Sequence, residues 1–198
     1  VSGQYFETPT GPIRAREVTA TIWDREFRFA TANGVYSAAG LDPGTGVLLR
    51  ESEPPGHGGH LVDLGCGWGP IAIGLAVCAP QITVDAVDVN RRALELCARN
   101  AEAAGVADRV RVLHADEVDP TTRYDELWSN PPIRIGKAAL HDLLLEWLPR
   151  LESGGRARMV VGRNLGADSL QRWLVEQGYP TERVGSAKGF RILQTTAP

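Results

Sequence analysis

Leu61 to Ile73, LVDLGCGWGPIAI, decides how the rest of the 198-residue chain is read. Leu61, Val62 and Leu64 have the apolar character of the end of a buried strand. Gly65, Gly67 and Gly69 make a turn of almost bare backbone, and Pro70 suits the first position of a helix. A strand running through glycines into a helix leaves backbone N–H groups facing a crevice without side chains. Taken alone, such a turn also serves as an ordinary tight connection between strand and helix.

Strands and helices alternate downstream of this turn. Ile82, Val84 and Val87 read as a strand ending at Asp88. Asn90 caps a helix with the stripe Leu94, Cys97, Ala98 and Ala101, stopped by Gly105. Val110, Val112 and Leu113 lead to Ala115-Asp116, and Tyr124 to Ser129 forms another strand. After Gly136 a helix carries Leu140, Leu143, Leu144, Trp147 and Leu148. Met159 to Val161 predicts a strand, Leu170, Trp173 and Leu174 a helix ending at Gly178. Arg183-Val184 and Phe190 to Gln194 are two closing strands around Gly185 to Gly189. This alternation predicts an α/β fold with a mostly parallel sheet covered on both faces, binding ligands beyond the C-terminal strand ends.

Upstream, residues 1–15 carry Pro9, Gly11 and Pro12 and are expected to be irregular. Val18, Ala20 and Ile22 alternate with polar residues, and Phe27 and Phe29 flank Arg28. Around Asp24-Arg25 this predicts a β-hairpin with one apolar face, too small to stand alone and so packed on the main domain. The stretch from Thr31 to Gly46 is a connector or a lid over the crevice, with Asp42-Pro43 starting a short helix through Val47, Leu48 and Leu49. Glu51 to Gly59 reads as a Pro/Gly linker. His57 and His60 have no Cys or carboxylate cluster beside them in sequence, so no metal is expected.

With 43% hydrophobic residues the chain can build one full core. A net charge of -3 and a pI near 5.8 provide no global attraction to nucleic acid. Cys66, Cys78 and Cys97 have no metal-type spacing and read as reduced thiols of a cytoplasmic protein. No apolar run reaches the ~18 residues of a membrane span, and no secretion signal is visible.

The turn narrows the ligand. A dinucleotide fold needs G-x-G-x-x-G, and its third glycine is Pro70 here, which has no N–H for a pyrophosphate; no Gly-Lys-Ser/Thr follows to make a Walker loop. The spacing is D-x-G-x-G-x-G, led by Asp63, and suits a zwitterionic, phosphate-free ligand such as S-adenosylmethionine (SAM). Asp88, with Val89 beside it, lies roughly 20 residues on, where an acid can accept from ribose hydroxyls. Asp116 is placed to accept from an adenine amino group. In Asn130-Pro131-Pro132 the asparagine and Pro131 carbonyls can both accept from one exocyclic NH₂, with the prolines directing the chain. Two such acceptors would favour the pyramidal amine and aim its lone pair at a sulfonium methyl, so that catalysis is orientation and electrostatics. Arg134 and Lys137 follow and could contact phosphates. Arg14, Arg16, Arg25 and Arg28 could extend that track.

DLGCGWG, DVN, NPPIRIGK and the upstream FATANGVYS and LDPGTGVLL resemble the methyltransferase-small domain family, which includes small-subunit ribosomal RNA guanine-N2 methyltransferases. The resemblance spans roughly residues 4–195. It implies a Rossmann-like class I methyltransferase with a seven-stranded sheet whose last strand is antiparallel. Residues 1–50 would form the hairpin and lid extension, and 51–198 the SAM-dependent domain. By motif position it assigns the cofactor to Asp63, Gly65, Gly67, Asp88 and Asp116, and the target amine to Asn130 and Pro131, with an RNA guanine as substrate. Two features depart from the family pattern. Ile133 stands where many amine methyltransferases carry an aromatic that stacks on the base, which shifts stacking to Tyr36 or Trp68 or replaces it with apolar packing. The larger ribosomal members are tandem domains, whereas this chain is one. The same chemistry on a protein glutamine or a small-molecule amine, and a non-catalytic SAM-binding subunit, are the competing readings.

Overall fold

The apolar alternation that opens at Val18 folds as expected. In the computed structural model, which describes residues 11–198, β1 (Ala15–Ile22) pairs antiparallel with β2 (Arg25–Ala32). The reading of the first residues as irregular falls largely on 1–10, outside the described residues. The hairpin turn is one residue earlier than predicted: Trp23 and Asp24 occupy its centre at φ 45° and 60°. Tertiary contacts hold that left-handed Trp23 in place. Its indole donates to the Ser52 carbonyl at 2.6 Å and meets Trp128 edge-on at 6.2 Å.

The remaining elements are α1 (Pro43–Arg50), β3 (Gly59–Leu64), α2 (Pro70–Cys78), β4 (Ile82–Asp88), α3 (Arg91–Ala103), β5 (Val110–His114), β6 (Tyr124–Ser129), α4 (Lys137–Trp147), β7 (Leu151–Gly162), α5 (Ala167–Glu176), β8 (Thr181–Ala187) and β9 (Phe190–Thr196). Seven strands form one sheet in the order β5-β4-β3-β6-β7-β9-β8. It is parallel from β5 to β7, with β9 antiparallel to both neighbours. The chain order reverses between β3 and β6, the switch point at which sheets of this kind bind ligands beyond their strand ends.

Successive strand residues divide between two cores. Leu61, Val84, Ala86, Trp128, Val160 and Ile192 face a core with α1, α2, α3 and the hairpin residues Ile22, Phe27 and Phe29. Val62, Val87, Leu127, Met159, Val161 and Leu193 face the second, with α4 and α5. The hairpin is tied down by polar contacts as well: the Asn100 side chain of α3 accepts from the Ala30 N–H at 2.7 Å and donates to its carbonyl at 2.9 Å. Two backbone groups of an edge strand are thereby satisfied by one amide.

The strand predicted at Met159 starts earlier, at Leu151. Its first half carries Gly154 and Gly155, and the β6 pairing shifts register between Tyr124 and Glu126. A Cβ on Gly155 would lie 2.8 Å from the Glu152 carbonyl oxygen and 3.0 Å from that of Asp125, so only glycine fits this irregular stretch.

Candidate functional site

β3 ends at Leu64 and the chain turns through Gly65, Gly67 and Gly69, at φ 78°, 55° and 95°. The glycines have different reasons to be glycine. A Cβ on Gly69 would lie 2.7 Å from Cys97 Sγ and 2.8 Å from Ile73 Cδ1, so this residue lets α2 close onto α3. Nothing lies within 4 Å of a Cβ built on Gly65 or Gly67, which face open space. The Gly65 and Cys66 N–H groups donate to the Val87 carbonyl at 2.8 and 2.9 Å, fastening the turn to β4.

Asp63 is fully buried at the end of β3. One carboxyl oxygen accepts the Ala72 N–H of α2 at 2.9 Å; Oδ1 is buried with no hydrogen-bond partner. Burial pushes this carboxyl up to about 8, against the pull of the Ala72 N–H and with a further push from the neighbouring Asp88 charge. The side chain is short of a cationic partner, and an ammonium group would supply one. Asp88, at the end of β4, accepts the Gly67 N–H at 2.8 Å and the Asn90 N–H at 2.9 Å, one on each oxygen. Burial raises its carboxyl too, opposed by those amides. The Val89 N–H is a third backbone donor to this carboxylate, which keeps acceptor capacity for a hydroxyl donor. Val89 is 41% exposed next to it, an apolar surface on the same rim.

The third strand end behaves differently. Asp116 lies in a short 3-10 turn (Ala115–Glu117) with its side chain 89% exposed, 3.4 Å from His114 Nδ1. The other ring nitrogen of His114 lies 3.2 Å from the Val89 carbonyl oxygen. His114 therefore bridges the β4 and β5 ends, a role that no sequence signal announced.

The fourth end is β6. The Ser129 hydroxyl donates to the Leu64 carbonyl at 2.7 Å, stitching Asn130 next to the glycine turn. Asn130 Nδ2 donates to Asp42 Oδ1 at 2.8 Å and Thr45 Oγ1 at 3.1 Å, so the amide hydrogens are spent and Oδ1 is the acceptor left over. Pro131 is buried, and its carbonyl accepts the Ile133 N–H at 2.8 Å. Pro132, at φ -74° and ψ 71°, is the centre of that inverse γ-turn, which leaves one lone pair on the Pro131 carbonyl. Ile133 is half-buried, and Arg134 and Lys137 are exposed beyond it.

The stretch expected to be a connector or lid lies across this edge and is well fastened. The Trp68 indole donates to the Tyr36 carbonyl at 3.2 Å, and Asn90 Nδ2 to the Gly34 carbonyl at 2.9 Å. Trp68 itself is 2% exposed and packs on Phe29 with ring centroids 5.0 Å apart. It cannot stack on a base, which removes one of the two aromatics considered for that task. Tyr36 is 50% exposed, with its hydroxyl donating to Asp42 Oδ2 at 2.6 Å.

A parallel sheet that brings a glycine turn, two desolvated aspartates and an Asn-Pro-Pro end to one switch point is that of a class I SAM-dependent methyltransferase. The chain belongs to the methyltransferase small domain family, whose model matches residues 26–194. It is 31% identical over 193 residues to the uncharacterized protein YbxB of Bacillus subtilis, covering 96% of both chains. It is also 31% identical over 165 residues to the ribosomal RNA small subunit methyltransferase C of Shewanella piezotolerans, covering 76% of this chain and 47% of that one. Among solved structures, the 16S rRNA N2 methyltransferase RsmC of Thermus thermophilus, in complex with AdoMet and guanosine, superimposes with a TM-score of 0.79 at 23% identity, over 96% of this chain and 52% of that one. The chain thus spans nearly all of YbxB and about half of the ribosomal enzymes. Among the described residues no helix is long and apolar enough to cross a membrane.

Proposed function

We propose that the protein methylates the 2-amino group of a guanine in ribosomal RNA. The observation that carries this reading is the placement of Asn130 and Pro131 beside the open glycine turn, with Asn130 Oδ1 left as an acceptor by the hydrogen bonds on Nδ2. When bound, SAM supplies a sulfonium methyl to the amine lone pair, the S–C electron pair returning to sulfur and the amine's extra proton leaving to water. Asp63 would hold the ammonium end of the cofactor, Asp88 the ribose, and Val89 with Asp116 the adenine; the N–H groups of Gly65, Cys66 and Gly67 are engaged within the fold, so Gly65 and Gly67 would serve by leaving the space in which the cofactor lies. Asn130 Oδ1 and the Pro131 carbonyl draw on the two N–H bonds of a planar amine and stabilise the cationic nitrogen that develops, which is electrostatic catalysis without a strong base. The half-exposed ring of Tyr36, tied to the same Asp42 that holds Asn130, takes over the stacking that Ile133 cannot provide. Arg134 and Lys137, both exposed past the triplet, contact the flanking phosphates.

The decisive assay is transfer of labelled methyl from SAM to ribosomal RNA or ribosomal subunits. Label that RNase releases, with N2-methylguanine as the modified nucleoside, is the expected result. Label that persists through RNase and follows protein, or no transfer to any RNA, refutes the RNA reading. Asn130→Ala should lower kcat by about 100-fold while SAM affinity stays within about threefold, the pattern of a lost transition-state contact.

A further inference from the structure

Asn130 has its amide oriented by a residue 88 positions away in sequence, and the arrangement around that residue has more order than a helix cap requires. Asp42 is the N-cap of α1, with Oδ1 accepting the Gly44 and Thr45 N–H groups at 2.8 and 3.1 Å. A cap needs nothing further. Yet the same oxygen also accepts Asn130 Nδ2 at 2.8 Å, and Oδ2 accepts the Tyr36 hydroxyl at 2.6 Å. Four donors thus converge on one carboxylate, and Thr45 Oγ1 takes the second Asn130 amide hydrogen at 3.1 Å.

We propose that Asp42 is a positioning residue of the methyl-transfer reaction, locking the Asn130 amide so that its oxygen rather than its nitrogen faces the substrate amine. An ionised carboxylate can only accept, so it selects the NH₂ end of the amide. A flipped Asn130 would set its carbonyl oxygen against Asp42 and offer donors to an amine that itself donates. The bond from Nδ2 is charge-assisted, and it draws electron density through the amide onto Oδ1. Oδ1 becomes a stronger acceptor as positive charge builds on the amine nitrogen, so the contribution appears in kcat rather than in cofactor binding. Tyr36 holds the second carboxylate oxygen and ties the half-exposed ring proposed for base stacking to the same group. This inference rests on the proposed amine methylation.

Asp42→Ser separates positioning from capping, because Ser caps helices as well as Asp but offers one neutral oxygen in place of the carboxylate that Asn130 and Tyr36 share. Asp42→Ser should keep SAM affinity by calorimetry within about threefold and keep the melting temperature, while kcat on RNA falls by about tenfold or more. Asp42→Asn, which retains an acceptor without the charge, should recover part of that loss. In an Asn130→Ala background, Asp42→Ser should add little, since both substitutions remove one unit. A readout independent of substrate is the Asn130 side-chain amide in 15N spectra: the proton held by Asp42 should be protected from exchange in the wild type and exposed in Asp42→Ser. No such protection in the wild type, or Asp42→Ser turning over at the wild-type kcat, would overturn the assignment. A wild type that shows that proton protected but labels no RNA refutes the substrate reading instead, leaving the orientation in place.

Discussion

Two aspartates on neighbouring strands, one register step apart, have opposite fates. Asp63 in β3 lies opposite Ala86, and Asp85 in β4 lies opposite Val62, so their side chains leave the sheet on opposite faces. Both are buried. Asp85 is surrounded by donors: Arg111 through two nitrogens at 2.9 and 2.6 Å, the Tyr124 hydroxyl at 2.9 Å and His60 Nε2 at 3.1 Å. Burial alone would raise its carboxyl, but the hydrogen bonds from His60, Arg111 and Tyr124 outweigh it and hold the group at about 2. Asp63 has one amide and an orphaned oxygen, and it stands at about 8. A carboxylate saturated from within its own fold stabilises that fold. One left short of partners, as Asp63 is, would be available to the ammonium group proposed for it.

The comparison breaks most visibly in stability. Asp85→Ala strands the Tyr124 hydroxyl and leaves Arg111 and His60 without their anion, and should cost about 3 kcal/mol, a fall in Tm of roughly 6 to 12 °C by calorimetry. Asp63→Asn keeps an acceptor for the Ala72 N–H and removes a carboxyl whose ionisation burial opposes, so at neutral pH stability should hold or rise. Its cost appears in ligand binding instead, with SAM affinity falling about 10- to 100-fold as a charge-assisted contact is lost. Equal destabilisation by the two substitutions, with SAM binding intact in both, would erase the distinction.

Sequence patterns fail at the points where such distinctions are made. The parallel sheet, the glycine turn and the four polar strand ends were legible because each is a local signal, a period of two or 3.6 ended by a breaker. Asp85 sits inside an apolar strand, and its partners come from three other strands, so no local pattern marks it. Asp42 was legible as a helix cap, but its bond to Asn130 closes only in the fold. Trp68 looks available in sequence as an aromatic next to a glycine turn, whereas the hairpin ring Phe29 packs over it in the fold. The first half of β7 has no visible strand pattern because its glycine bulge hides the alternation in LESGGRAR.

Protonation sharpens the same contrast with a smaller signal. The Asp85 contribution to stability is present above the unfolded value of 3.8 and is lost as pH falls to about 2. For Asp63 the sign reverses: its contribution is complete below 3.8 and drains away as pH rises toward about 8. An incoming ammonium favours the ionised carboxylate, so SAM binding at pH 7 should release close to one proton, measured by calorimetry in buffers of different ionisation enthalpy. Asp88 and the buried Cys66 thiol, also pushed up by burial, are titratable groups close by, with Cys97 beside Cys66 and His114 near Asp88. Asp63→Asn separates them, since proton release that survives it would move the effect to one of these neighbours.

The weakest member of the strand-end set should show the smallest effect. Asp116 is open to water, so a hydrogen bond it makes to an adenine amino group trades against hydration and contributes only about 1 kcal/mol. Asp116→Ala should therefore weaken SAM by about fivefold without moving Tm. The loss should vanish for a cofactor analogue that lacks the 6-amino group, because the wild type then has no donor to accept from. A loss that persists with the analogue would point to His114, which loses the Asp116 carboxylate beside its Nδ1 while its other nitrogen lies against the Val89 carbonyl. In that case the adenine edge is shaped by the imidazole bridge between β4 and β5, and the exposed carboxylate acts only through it.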